Sequence, residues 1–326
     1  MTATIARLDA PPGTRISGMG YYRPERVVTN DELAETMDTD DEWIRTRVGI
    51  RERRWASTAE SAVWMGAEAG RSAIADAGLT AADIDTVIVA TCTLPSTVPH
   101  AATQIAAELG IHAPGSFDIN AACAGFCYGL AIASHTVRAA AGKHVLLVGV
   151  DKLTDWTDLT DRSTAIIFAD AAGAVVVSGS ETEEIGPVSW GSDEHQTQAI
   201  RIPDRNSTMY QDGQAVFRWA TTQIAPVGIR AVELAGLQLS DIDALVTHQA
   251  NLRIIDAIAK RLIKEGVRPD VVVARDIVTT GNTSSASVPV ALCRARDDGS
   301  IGSGDLVLSV GFGAGLTFAG QVYRVP

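Results

Sequence analysis

Three residues in this chain have the chemistry of covalent acyl transfer: Cys123, His248 and Asn282. Cys123 lies in the run Ser116-Phe-Asp-Ile-Asn-Ala-Ala-Cys-Ala-Gly-Phe-Cys-Tyr-Gly-Leu130. The start of this run reads as a short buried strand. The residues after Cys123 read as a long helix of small and apolar side chains, with no Pro until well past Arg138. The thiol is thus expected where a strand turns into a helix, beside Ala121, Ala122, Ala124 and Gly125, which let a substrate come close. A helix N-terminus offers partial positive charge and free N–H groups. That environment is expected to lower the thiol pKa and make a nucleophile. A buried structural cysteine is the competing reading.

His248 follows an apolar strand in Val246-Thr-His-Gln-Ala-Asn251, and Asn282 lies in Thr280-Gly-Asn-Thr-Ser-Ser-Ala-Ser-Val-Pro-Val-Ala-Leu292. A thiolate beside an imidazole forms thioesters readily. The order Cys, His, Asn also occurs in papain-like proteases, but the Gln-containing papain signature is missing around Cys123.

The elements that must bring these three together repeat along the chain. Ala77-Gly-Leu-Thr-Ala-Ala-Asp-Ile-Asp-Thr-Val-Ile-Val89 is echoed by Ala235-Gly-Leu-Gln-Leu-Ser-Asp-Ile-Asp-Ala-Leu-Val-Thr247. Each follows an amphipathic helix (Ser61 to Ala77, Val216 to Ala235), which a Gly terminates. The same offset carries Cys123 onto Gly281, beside Asn282. There a strand (Val271–Ala274), a small-residue loop and a helix are again expected. His144-Val-Leu-Leu-Val-Gly149 has its counterpart in Leu306-Val-Leu-Ser-Val-Gly311. The chain therefore reads as two copies of one α/β unit, residues 1–182 with the cysteine and 183–326 with the histidine and asparagine. In such sheets ligands gather at the carboxyl ends of strands, where all three residues are expected. The papain fold has no use for this duplication.

The remaining features set bounds. The 326 residues are 46% hydrophobic and 20% charged, with ample material for a core. No segment approaches the ~18 apolar residues of a membrane span. Four cysteines suggest no disulfide framework, and a reducing cytoplasm is expected. The net charge of −12 argues against nucleic acid as a partner. An acidic partner would need a local basic patch. The amphipathic helix Asn251–Lys264 offers one, with Arg253, Lys260 and Lys264 on one face and Arg261 beside it. The turn Gly311-Phe-Gly-Ala-Gly315 can present backbone N–H groups to an oxyanion.

Several motifs together resemble the β-ketoacyl-acyl carrier protein synthase III family, of the thiolase fold. They are Ala121-Ala-Cys-Ala-Gly-Phe126, His248-Gln-Ala-Asn-Leu-Arg-Ile-Ile255, Gly281-Asn-Thr-Ser-Ser-Ala-Ser-Val288 and Gly311-Phe-Gly-Ala-Gly315. Asp41-Glu-Trp-Ile-Arg-Thr-Arg-Val-Gly-Ile-Arg51 and Asp161-Arg-Ser-Thr164 match too, so the resemblance spans the chain.

It implies an α/β, thiolase-like fold of two duplicated halves in a layered αβαβα arrangement. It also implies a reaction, the decarboxylative condensation of an acyl-CoA primer with malonyl-acyl carrier protein. Cys123 would be acylated, and His248 and Asn282 would stabilise the enolate. The N–H groups of Cys123 and Ala314 would form an oxyanion hole, with Ala314 standing where the family often has Gly. Trp43 and Arg162 match a pair that sandwiches the CoA adenine, and Arg47 a phosphate contact. Thr39, Gly213, Phe217 and Asn251 match further CoA-binding positions, while Arg253, Lys260 and Arg261 match the carrier-protein dock. Neither cofactor nor metal is implied, since acyl-CoA is a substrate, and a homodimer is expected.

Three departures bear on the primer. Phe168-Ala-Asp-Ala-Ala-Gly173 replaces a more glycine-rich turn, and the segment Ser192–Met209 is short. Val98 stands where some members place a Phe that closes the partner subunit's acyl pocket. The alternative within the fold is a starter-unit ketosynthase or acyltransferase of a specialised polyketide pathway. Outside it stand a papain-type hydrolase and a non-catalytic binding protein.

Overall fold

The computed structural model describes residues 8–326. The first half opens with β1 (Gly13–Tyr22). A ribbon of β2 (Val27–Thr29) and β3 (Glu52–Arg54) encloses α1 (Asn30–Ala34) and α2 (Asp41–Val48). Then come α3 (Ala62–Asp76), β4 (Thr86–Ala90), α4 (Ala101–Leu109), β5 (Gly115–Ile119), α5 (Gly125–Arg138), β6 (His144–Lys152) and β7 (Asp170–Ser180). The second half opens with β8 (Ser189–Gly191) and a ribbon of β9 (Ile200–Arg201) and β10 (Tyr210–Gln211). It continues with α6 (Gly213–Leu234), β11 (Ala244–Thr247), α7 (Leu252–Glu265), β12 (Val272–Val273), α8 (Ile277–Thr280), α9 (Ser287–Asp297), β13 (Leu306–Phe312) and β14 (Phe318–Arg324).

The two five-stranded sheets have matching strand orders, β5-β4-β6-β7-β1 and β12-β11-β13-β14-β8. In each, the three strands at one end run parallel and the rest antiparallel. The repeated Asp-rich turn is repeated in its bonding as well. Thr80 N–H donates to Asp83 Oδ2 at 2.8 Å, and Gln238 N–H donates to Asp241 Oδ2 at 2.8 Å. Gly78 and Gly236, which end the preceding helices, have φ of 69° and 71° and open space where a Cβ would stand. The second aspartate of each turn anchors the next strand over: Asp85 accepts from His144 N–H and Asp243 from Leu306 N–H.

The molecule has five layers. One apolar cluster packs α3 and α4 on the outer face of the first sheet. Another packs α6 and α7 on the outer face of the second. Between the sheets lie α5 and α9, with Phe126, Leu130, Val137, Val288 and Leu292 buried against strand residues of both. This is the layered αβαβα arrangement expected from the sequence.

Two local expectations fail. The strand before Cys123 is not buried. Among the described residues β5 bonds only to β4, and as an edge strand it leaves Phe117 39% exposed. The counterpart of Cys123 in the second half is Ser285, not Gly281. Ala122 (φ 45°) and Ser284 (φ 51°) occupy the same strained position in equivalent turns, each just before the corresponding helix. The added helix α8 shifts the register between the halves, which offsets read from the first turns cannot register.

Candidate active site

Cys123 sits in a tight turn, Ala122–Ala124, that runs straight into α5. Gly313 lies directly beneath it, and a Cβ there would stand 2.7 Å from Cys123 Cβ. The sulfur faces a cavity of about 220 Å³ whose wall includes Cys92, Phe168, Met209, His248, Asn282, Ser284 and Ala314. The N–H groups of Cys123 and Ala314 and the Ser284 hydroxyl stand near enough to the sulfur to favour its thiolate. The left-handed residues of this turn are Gly315 (φ 70°) and Leu316 (φ 43°), so Ala314 serves as a donor without strain.

The thiol pKa does not behave as the helix start suggested. Desolvation pushes it up to about 11, and the donors beside it offset this only in part. Cys123 therefore rests as a thiol. Cys127, one turn further on, is buried in the inter-sheet core away from the cavity.

His248 follows β11 and Asn282 follows α8, so Asn282 is not at a strand end as expected. A bridge to Phe168 holds it instead: Asn282 N–H donates to Ile167 O, and Ala169 N–H donates to Asn282 O, each at 2.9 Å. Gly281 (φ 82°) makes this approach possible, because a Cβ would come 2.8 Å from that of Ala169. Asn282 Oδ1 accepts from Ser284 N–H at 2.9 Å, which leaves Nδ2 as the side chain's unspent donor. His248 Nδ1 lies 2.7 Å from Ser287 Oγ, and the ring meets Phe312 edge-on with centroids 5.1 Å apart. Burial alone pushes the imidazole pKa down to about 3, so the ring is neutral at physiological pH.

Beneath the cavity, the buried Asp151 clasps the two halves. Its carboxylate accepts from Cys92 N–H (2.8 Å) and Thr93 Oγ1 (3.0 Å) of the first half. It also accepts from Ser285 N–H (3.0 Å) and Oγ (2.7 Å) of the second. Cys92, Ser284 and Asp151 were not singled out from the sequence. The position of Cys92 just past the end of β4, where such sheets collect ligands, was the available signal.

The cavity opens into a groove of about 780 Å³, and Gln211, Val216 and Ala250 line both. Trp43, Arg47, Arg162, Gly213, Phe217, Asn251 and Arg253 all line this groove. Arg162 and Arg47 stand over the Trp43 ring at 4.9 and 5.2 Å from its centroid, and Arg253 stands over Phe217 at 5.1 Å. Arg162 also pairs with Asp38 at 3.5 Å. Asn251 caps α7 by accepting from Arg253 N–H, and its Nδ2 donates to Arg47 O at 3.3 Å. Thr39 does not line the groove, and among the described residues its buried hydroxyl has no partner. Lys260 and Arg261 are exposed further along α7, Arg261 paired with Glu265 at 3.0 Å. Val98 is 80% exposed and takes no part in the cavity of its own chain.

The description "3-oxoacyl-[acyl-carrier-protein (ACP)] synthase III" matches residues 117–194, and its C-terminal counterpart matches residues 232–325. A Streptomyces coelicolor protein named β-ketoacyl-[acyl-carrier-protein] synthase III 4 is 45% identical, over 96% of this chain and 99% of that one. A Mycolicibacterium paratuberculosis protein named mycobacterial β-ketoacyl-[acyl-carrier-protein] synthase III is 46% identical, over 99% and 98%. Among solved structures, the priming β-ketosynthase of the R1128 polyketide pathway superposes with a TM-score of 0.94 at 43% identity, covering 98% of both chains. With this identity sustained over nearly full length, the chain belongs to the β-ketoacyl-[acyl-carrier-protein] synthase III family of thiolase-fold condensing enzymes.

Proposed function

We propose that the chain condenses an acyl-CoA primer with malonyl-acyl carrier protein, releasing carbon dioxide and giving a β-ketoacyl-carrier protein that starts fatty acid or polyketide synthesis. One observation carries the assignment of roles. Cys123 sulfur lies in one cavity with two backbone N–H donors beside it and two further side chains, His248 and Asn282, whose Nε2 and Nδ2 are unspent.

In the first half-reaction the sulfur attacks the thioester carbonyl, and the thiol proton leaves with the CoA thiolate. The N–H groups of Cys123 and Ala314 hold the tetrahedral oxyanion. In the second, the malonyl C–C bond breaks and its electron pair forms an enolate. His248 and Asn282 hold the enolate oxygen while carbon dioxide departs. The carbanion then attacks the Cys123 thioester and expels the thiolate, which takes up a proton from solvent, the original one having left with CoA. A neutral histidine serves as a donor here without needing to be a cation.

The groove is assigned to CoA and pantetheine, with Trp43 and Arg162 for the adenine, Arg47 for phosphate, and Gly213, Phe217 and Asn251 along the arm. Thr39 is left out of this set. Arg253, Lys260 and Arg261 are assigned to the acidic carrier protein. The two halves are divided at residues 182 and 183. The unpaired edge of β5 and the exposed Phe117 and Val98 support a homodimer, with Val98 reaching the partner's pocket. Among the described residues no helix is long and apolar enough to cross a membrane, and we assign the enzyme to the cytoplasm. Likeness to the R1128 priming ketosynthase favours a second setting for the same reaction, a specialised polyketide pathway.

The test is incubation with acetyl-CoA or isobutyryl-CoA, then mass spectrometry, then addition of malonyl-carrier protein. One acyl group on Cys123 followed by carbon dioxide release supports the reading. An adduct that persists in Cys123→Ala, or acylation without decarboxylation, overturns it.

A further inference from the structure

We infer that Ser287 is a positioning residue, one that keeps the His248 ring in the neutral tautomer with its proton on Nε2. The inference rests on the functional reading above. Ser287 opens α9, His248 follows β11, and the two are 1% and 2% exposed.

Two groups approach Ser287 Oγ: His248 Nδ1 at 2.7 Å and Gln249 N–H at 3.3 Å. A backbone N–H only donates, so it takes a lone pair of the hydroxyl oxygen. The hydroxyl hydrogen must then find an acceptor, as buried donors do. Among the described residues, Nδ1 is the acceptor within reach. Nδ1 therefore carries no proton, and a neutral imidazole holds its one proton on Nε2.

The surroundings keep this arrangement in place. Gln249, whose N–H sets the hydroxyl, is itself locked: Nε2 donates to Thr247 O at 2.7 Å, and Oε1 accepts from Ile277 N–H at 3.1 Å. Phe312 fixes the plane of the imidazole. The consequence is chemical. The opposite tautomer would turn a lone pair toward the enolate oxygen and repel it. The Ser287 hydroxyl thus decides whether the cavity receives a donor or an acceptor from this ring.

The experiment uses the full-length enzyme labelled with 15N-histidine. Two-bond 1H–15N correlations without substrate read the His248 tautomer, with His248→Ala identifying the signals. The wild type should show the Nε2–H pattern, and Ser287→Ala should lose it or mix it with Nδ1–H. In turnover, Ser287→Ala should lower kcat for condensation roughly 10-fold or more, as loss of a histidine's orienting partner does at metal sites. Cys123 acylation and KM for malonyl-carrier protein should stay within about twofold, since neither needs the enolate donor. In a His248→Ala background the same substitution should add nothing. A wild-type Nδ1–H pattern overturns the inference, as does an equal loss from Ser287→Ala in both backgrounds. Should Ser287→Ala not fold, Ser287→Cys replaces it, and the wild-type spectrum alone remains decisive. A wild type that acylates but never condenses would instead sink the functional reading, leaving the tautomer measurement to stand or fall by itself.

Discussion

A thiol whose pKa stands at about 11 is almost wholly protonated at neutral pH. Raising the pH raises the thiolate fraction, so alkylation of Cys123 by iodoacetamide should quicken about tenfold per pH unit between roughly pH 7 and 9. A plateau near pH 7 would mean a preformed thiolate and a far weaker burial effect. In the reaction proposed above, His248 and Asn282 serve the later step. Alanine at either should lower condensation roughly 100-fold or more, as loss of an oxyanion donor does. Single-turnover acylation should suffer much less. If both steps fell together in both variants, the separation of roles would be wrong. Of these residues, Cys123, His248 and Asn282 were legible in the sequence because residue type and neighbours suffice to suggest them. The thiol pKa was not. A helix start argues one way and burial the other, and only the packed structure supplies the burial.

At the scale of elements, the proposed reaction gives α7 two different jobs along its length. Arg253 stands over Phe217 and lines the groove, whereas Lys260 and Arg261 lie outside it. Charge reversal at Arg253 should therefore raise KM for acyl-CoA and for malonyl-carrier protein alike. Lys260→Glu should raise only the latter, and added salt should mimic it. Equal losses for both substrates in Lys260→Glu would remove the outer part of α7 from the dock. The duplicated elements were readable because an Asp-rich turn leaves a sequence trace wherever its side chains cap backbone N–H groups, as Asp83 and Asp241 do. Helix α8 left no such trace. Its four residues, Ile277–Thr280, are too few for a hydrophobic period to emerge. The edge position of β5 was equally hidden, since strand order is a long-range property.

At the scale of the molecule, Val98 is 80% exposed on a chain whose first sheet ends in the edge strand β5. If a second copy places its Val98 in this cavity, the wall it forms is smaller than a Phe would make. Each extra buried methylene of a primer then contributes about 0.8 kcal/mol. Isobutyryl- and butyryl-CoA should exceed acetyl-CoA in kcat/KM, and Val98→Phe should shift the preference back toward acetyl-CoA. Acetyl-CoA preferred by the unaltered enzyme, or a Val98→Phe variant with unchanged preference, would take Val98 out of the pocket.

The Asp151 clasp has a kinetic meaning for the newborn chain. Its bonds to Ser285 join residues 134 apart in sequence, and Ser285 Oγ reaches Ala90 O across 195. Contacts of such separation close late, because loop closure must precede them. Helices and the local turns can form while each half is still alone, but Cys123 cannot meet His248 and Asn282 until the halves have docked. During refolding from denaturant, far-ultraviolet circular dichroism should recover first and acyl transfer to malonyl-carrier protein measurably later. Asp151→Asn should widen that lag by weakening the clasp. Recovery of both signals in a single phase, in wild type and variant alike, would mean that the halves assemble as one unit.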